Sequence, residues 1–180
     1  MTGTGKPLES ELSRGLRFYE QSHHDIWYMR WPDFQDFRGA GATKYIPPKA
    51  PSDFVALYKG HFYGVECKST RSKRFVMTWL KDHQKVSLIK IKKAGGVGVI
   101  LLSTRDRQRA KVRCAFIDID DYLNLEAVHI IKGKASIDVE ELMRIGVKLP
   151  RLLVALEGNK TKQVAWDVSP LFNSPISKYV

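Results

Sequence analysis

A two-residue turn constrains this chain more than any other feature. The runs FVALY (54–58) and HFYGVEC (61–67) are apolar, aromatic-rich and β-prone, and only Lys59-Gly60 separates them, the pattern of a β-hairpin closed by a two-residue loop. With that loop each cross-strand pair sums to 119, so residue 58 faces 61, 57 faces 62 and 53 faces 66. Side chains alternate along a strand, so Glu66 and Lys68 leave on one face while Val65 and Cys67 leave on the other. Asp53, Glu66 and Lys68 are therefore predicted to converge. Opposed carboxylates with Cβ atoms about 5 Å apart repel unless something positive lies between them. A divalent cation meets that need, and Lys68 assists.

Oxygen-only carboxylate ligands suit a hard ion, Mg²⁺ with Mn²⁺ as a substitute, which keeps several waters and engages substrate phosphate as well. The predicted substrate is a phosphodiester. Metal would lower the pKa of a bound water and stabilise charge in the transition state, while Lys68 orients the nucleophile or neutralises the scissile phosphate. An edge hairpin with solvated charges is the competing reading. An acid two residues before a lysine is too common to count alone, and the acid at the paired position gives it weight.

Composition points the same way. A length of 180 residues with 43% hydrophobic content is enough for one domain with a real core. The formal net charge of +11 calls for a polyanionic partner. No amphipathic anchor, lipidation signal, signal peptide or apolar run of membrane-spanning length is visible, so no membrane role is expected and the protein is expected in the cytoplasm, or the host cytoplasm if the source is viral. Cys67 and Cys114 are too few and too far apart for a disulfide scaffold or a zinc site and read as reduced core residues. Asn159-Lys160-Thr161 matches a glycosylation acceptor, which carries no weight without secretion.

Along the chain, residues 1–7 read as a flexible start and 8–21 as a helix with apolar residues at 8, 12, 16 and 19. Residues 26–51 combine a strand with a Pro- and Gly-containing loop rich in aromatic and basic residues, a DNA-facing segment leading into the hairpin. After a basic connector, 79–96 reads as a helix closed by Gly95-Gly96, with strands at 97–103 and 112–119, a helix at 138–146 and a last strand at 162–168. No internal repeat, low-complexity segment or boundary divides residues 1–180. Gln84 lies among Leu80, Leu88 and Ile91 on one stripe of helix 79–96. An inward amide needs partners, and beside a predicted metal site it is read as an active-site residue. His83 reads as a partly buried structural histidine, with a general base or a phosphate contact as the alternative.

Four stretches together resemble a known family. GKPLESEL (5–12), PSDFVALYKGHFYGVECKST (51–70), DHQKVSLIKIKKAGGVGVILLS (82–103) and GKASIDVEELMRIGVKLPRL (133–152) are similar to Holliday junction resolvases of the RecU/Hjc group, within the PD-(D/E)xK nuclease superfamily. The segment between first helix and hairpin is shorter than the projecting stalk of RecU-type proteins, Pro51-Ser52 replaces a threonine-rich approach, and Cys67 replaces a more usual alanine. The resemblance implies an α/β fold with a restriction-endonuclease-like core, a central mixed β-sheet flanked by helices. It implies Glu9, Asp53 and Glu66 as metal ligands, with Glu11 as the alternative to Glu9, Lys68 as catalytic lysine and Gln84 in the active site.

It further implies a homodimer that nicks two opposed strands of a four-way DNA junction in recombination and repair, an isologous pair suited to a two-fold substrate. Shape and phosphate position would be read by basic side chains, the candidates being Arg30, Arg38, Lys44, Lys49, Arg71, Lys73, Arg74, Lys81 and Lys85. Arg105, Arg107, Arg109 and Lys111 read as a solvated loop. Trp27, Tyr28, Trp31 and Phe34 read as core aromatics, with stacking on junction bases as the alternative. Two other functions remain open: a restriction or repair nuclease acting on duplex or flap DNA, and a DNA-binding protein that keeps the fold without cleavage.

Overall fold

The Lys59-Gly60 turn forms as its residues dictate. Both have positive φ, 48° and 82°, the geometry of a type I′ turn whose twist matches the strands it joins. β2 (Phe54–Tyr58) and β3 (His61–Thr70) pair antiparallel with Tyr58 opposite His61 and Phe54 opposite Val65, the predicted register. The computed structural model describes residues 5–31, 50–106, 111–155 and 161–173.

The hairpin sits inside a six-stranded mixed sheet. β1 (Ile26–Arg30) pairs antiparallel with β2, and β3 runs parallel to β5 (Val97–Asp106). β5 then pairs antiparallel with β6 (Lys111–Asp118), and β8 (Val147–Lys148) closes the order β1-β2-β3-β5-β6-β8. Two-stranded pairings join β4 (Arg74–Val76) to β7 (Ser136–Asp138) and β9 (Arg151–Val154) to β10 (Gln163–Trp166).

Each sheet face has its own apolar core. α1 (Gly5–Ser22) lays Leu8, Leu12, Leu16 and Tyr19 on the face that carries Val65, Cys67, Val99, Leu101 and Phe116. The opposite face, with Ile100, Leu102, Ala115 and Ile117, is covered by α2 (Asp82–Lys93), α3 (Ile119–Ile131) and α4 (Val139–Ile145). α5 (Ser169–Asn173) adds Leu171 and Phe172 to the α1 side. Cys67 and Cys114 are buried free thiols, as expected.

α2 lies so close to the sheet that only glycine fits beneath it. A Cβ at Gly98 would stand 2.5 Å from the Leu88 carbonyl oxygen, a backbone atom that cannot step aside. This approach brings the start of α2 over the middle of β3.

Several expectations need correction. The helix expected over 79–96 begins at Asp82, because Met77–Trp79 forms a 3₁₀ turn and Leu80 and Lys81 are extended. Arg105 belongs to β5 rather than to a solvated loop, and its guanidinium donates to Glu11 at 2.7 Å. Trp27 is 52% exposed rather than in the core. Helix α3 was not resolved from its neighbours in the sequence. Arg38, Lys44, Lys49, Phe34, Arg107 and Arg109 lie outside the described residues.

Candidate active site

The site begins with the hairpin. Asp53 stands just before β2, and its Oδ2 accepts from the backbone N–H of Cys67 at 2.7 Å, which fixes the carboxylate against the strand that carries Glu66. Glu66 points to the α2 face and is 2% exposed. Lys68, two residues on, donates from Nζ to Glu66 Oε1 at 2.7 Å and to Gln84 Oε1 at 3.1 Å. Gln84 Nε2 in turn donates to Glu66 Oε1, so acid, lysine and amide form a closed triangle. The same Gln84 Oε1 accepts the Lys81 backbone N–H at 3.0 Å. One amide thus caps the first turn of α2 and holds Lys68.

Burial shapes the electrostatics. Loss of solvent pushes the Glu66 carboxyl up to about 7, and the charge of Asp53 pushes in the same direction against Lys68. Burial also raises Asp53, opposed by the Cys67 N–H and by Lys68. Two adjacent carboxyls that resist ionising together have the chemistry of a cation site, and their all-oxygen donor set fits Mg²⁺, which binds through one or two carboxylates plus water and phosphate. Asp53 and Glu66 would hold it. Among the described residues, no group of three or more His, Cys, Asp or Glu side chains is close enough together to hold a metal.

The two first-helix acids take different partners. Glu9 Oε2 is in contact with the Arg30 guanidinium at the end of β1. Glu11 is 8% exposed and is held by Arg105 and by the Trp166 indole N–H at 3.0 Å. Glu11 therefore ties α1 to β5 and β10, whereas Glu9 lies on the side of the hairpin.

The family model for Recombination protein U matches residues 4–153. The chain belongs to the RecU family. It is 33% identical over 106 residues to the Holliday junction resolvase RecU of Mycoplasmopsis pulmonis, across 58% of this chain and 65% of that protein. It is 28% identical over 95 residues to the Holliday junction resolvase RecU of Lactococcus lactis, across 52% of this chain and 45% of that protein. The matches thus span between about half and just under two thirds of these relatives' lengths. A solved structure of Hjc, a Holliday junction resolvase from Archaeoglobus fulgidus, is similar over 77% of this chain and 94% of its own, with a TM-score of 0.44 and 18% identity.

In this RecU chain the expected basic contacts divide into two groups. Arg71 and Lys73, in the turn after β3, and Lys81, before α2, are exposed. Lys85 and Arg74 are engaged within the protein: Lys85 Nζ meets both Glu126 oxygens at 2.7 and 2.8 Å, and Arg74 donates to the Ser136 carbonyl at 2.7 Å. Two features escaped the sequence reading, the Cys67 amide that holds Asp53 and the Glu9–Arg30 pair. The first is a diagonal contact that the register does not give directly, since 53 and 67 sum to 120 rather than 119. Among the described residues no helix is long and apolar enough to cross a membrane.

Proposed function

We propose that this RecU-family chain is a Mg²⁺-dependent endonuclease, with Mn²⁺ as a substitute, that resolves four-way DNA junctions as a homodimer with one site per protomer. The observation that carries the proposal is the meeting of Asp53, Glu66 and Lys68 from the hairpin with Gln84 from α2. Asp53 and Glu66 hold the cation. When bound, it polarises the scissile phosphodiester and an attacking water. Lys68 presents its ammonium to the phosphate, and Gln84 keeps that ammonium aimed. Exposed Arg71, Lys73 and Lys81 grip phosphates beside the cut, and a two-fold dimer presents this arrangement to opposed strands. Its likeness to relatives named Holliday junction resolvase supports the choice of substrate.

The test is cleavage and binding of a labelled junction by wild type and Asp53→Asn in Mg²⁺. The reading expects cleavage abolished and binding retained in the variant. Unchanged cleavage would remove Asp53 from the chemistry, and a wild type that binds without cutting would favour a binding protein.

A further inference from the structure

Arg30 is the last residue of β1 and pairs with Phe54, which places it beside Asp53. The next residue, Trp31, donates its N–H to the Asp53 carbonyl at 2.8 Å, so this corner is anchored to the site's own backbone. From there the Arg30 guanidinium reaches Glu9, and its charge also acts on Asp53. Beyond the effect of burial, the charges of Asp53, Glu66 and Glu9 all push the Cys67 thiol up, so all three acids act on this part of β3. Asp53 and Glu66 act on each other directly, while Glu9 is paired with Arg30.

We infer that Arg30 is a substrate-operated latch: in the free protein its guanidinium keeps Glu9 out of the site, and a DNA phosphate that takes over the guanidinium releases Glu9 to join Asp53 and Glu66. The inference rests on the reading of this site as a metal-dependent DNA nuclease. Exposure favours the exchange, since the Arg30 side chain is 43% exposed and Glu9 17%. A phosphate arriving from solvent meets the guanidinium before it meets the acid. Guanidinium pairs with phosphate through the same two-pronged hydrogen bonding that it offers a carboxylate. A divalent cation between Asp53 and Glu66 acts in the same sense, repelling Arg30 and attracting Glu9. DNA and metal then strengthen each other's binding, and by linkage the effect is reciprocal. The device keeps the third ligand away from metal until DNA is in place.

Mn²⁺ titration of the DNA-free protein by calorimetry tests this, using wild type, Arg30→Ala, Glu9→Gln and the double variant. The latch predicts that Arg30→Ala tightens Mn²⁺ binding by about tenfold, within the range usual for coupled sites, and that Glu9→Gln cancels the gain. A gain of equal size in the Glu9→Gln background would mean that only a repelling charge had been removed, and that result overturns the latch, as does no gain. A short duplex should then raise Mn²⁺ affinity more in wild type than in Arg30→Ala; an equal rise also overturns it. Asp53→Asn serves as the separate control. If it leaves Mn²⁺ binding intact, the site reading itself fails, whatever Arg30 does.

Discussion

Replacing Glu66 by Gln should stabilise the metal-free protein, and only above the pH at which the carboxyl ionises. Burial and Asp53 raise this group from 4.5 to about 7, and each unit corresponds to about 1.4 kcal/mol. Keeping Glu66 ionised in the fold therefore costs about 3 kcal/mol. Because the folded value lies above the unfolded one, the contribution is fully favourable below pH 4.5, is lost as pH rises towards 7, and stays lost above it. Gln avoids the loss but gives Lys68 a neutral acceptor in place of a charged one, which returns about 1–2 kcal/mol. The variant should be slightly less stable than wild type near pH 5 and about 1–2 kcal/mol more stable at pH 8. Urea unfolding in EDTA at intervals from pH 5 to 8 reads this directly, with titrating groups remote from the site cancelling between the two proteins. Adding Mg²⁺ at pH 8 should raise the midpoint of wild type and not of the variant. Stability curves that run parallel across the range would refute the argument, because a difference independent of pH cannot come from a carboxyl that ionises within it.

Other perturbations separate structural from functional roles. Gly98→Ala drives a methyl into the Leu88 carbonyl and should cost about 1–3 kcal/mol in thermal unfolding, with cleavage falling further than stability accounts for because Gln84 moves with α2. Glu11→Ala strands Arg105 and the Trp166 indole and should destabilise by about 3 kcal/mol, whereas Glu9→Gln should leave the unfolding midpoint within about 0.5 kcal/mol and still lose cleavage. Gln84→Ala should slow cleavage by about 10- to 100-fold with junction affinity held, measured in single-turnover kinetics. Lys81→Ala should lower the slope of log affinity against log salt by about 0.9, the loss of one phosphate contact, while Lys85→Ala should leave that slope unchanged and lower stability, since its charge is spent on Glu126.

The hairpin and its acids were legible in the sequence because every determinant is local: a two-residue loop fixes register, register fixes which residue faces which, and alternation fixes the face. Gln84 was legible for a related reason, as an amide on an apolar helical stripe needs partners. The start of α2 was not, because Leu80 continues the apolar stripe while its backbone is extended, and stripe periodicity does not register where a helix is capped. Arg105 looked solvated because its neighbours are charged; its partner Glu11 is 94 residues away. Glu9 and Glu11 differ by two positions on one helix, and only tertiary packing decides which meets Arg30 and which meets Trp166. The edge position of β1, which leaves Trp27 exposed, is likewise a property of the whole sheet order rather than of the strand's own residues.

Cleavage of a four-way junction beside a matched linear duplex in Mg²⁺, with products mapped strand by strand, tests the central claim most directly. The account predicts paired, symmetrically placed nicks in the junction alone, lost in Asp53→Asn. Equal cleavage of both substrates would contradict junction selectivity, and no cleavage of either would contradict the nuclease reading of the Asp53–Glu66–Lys68 site.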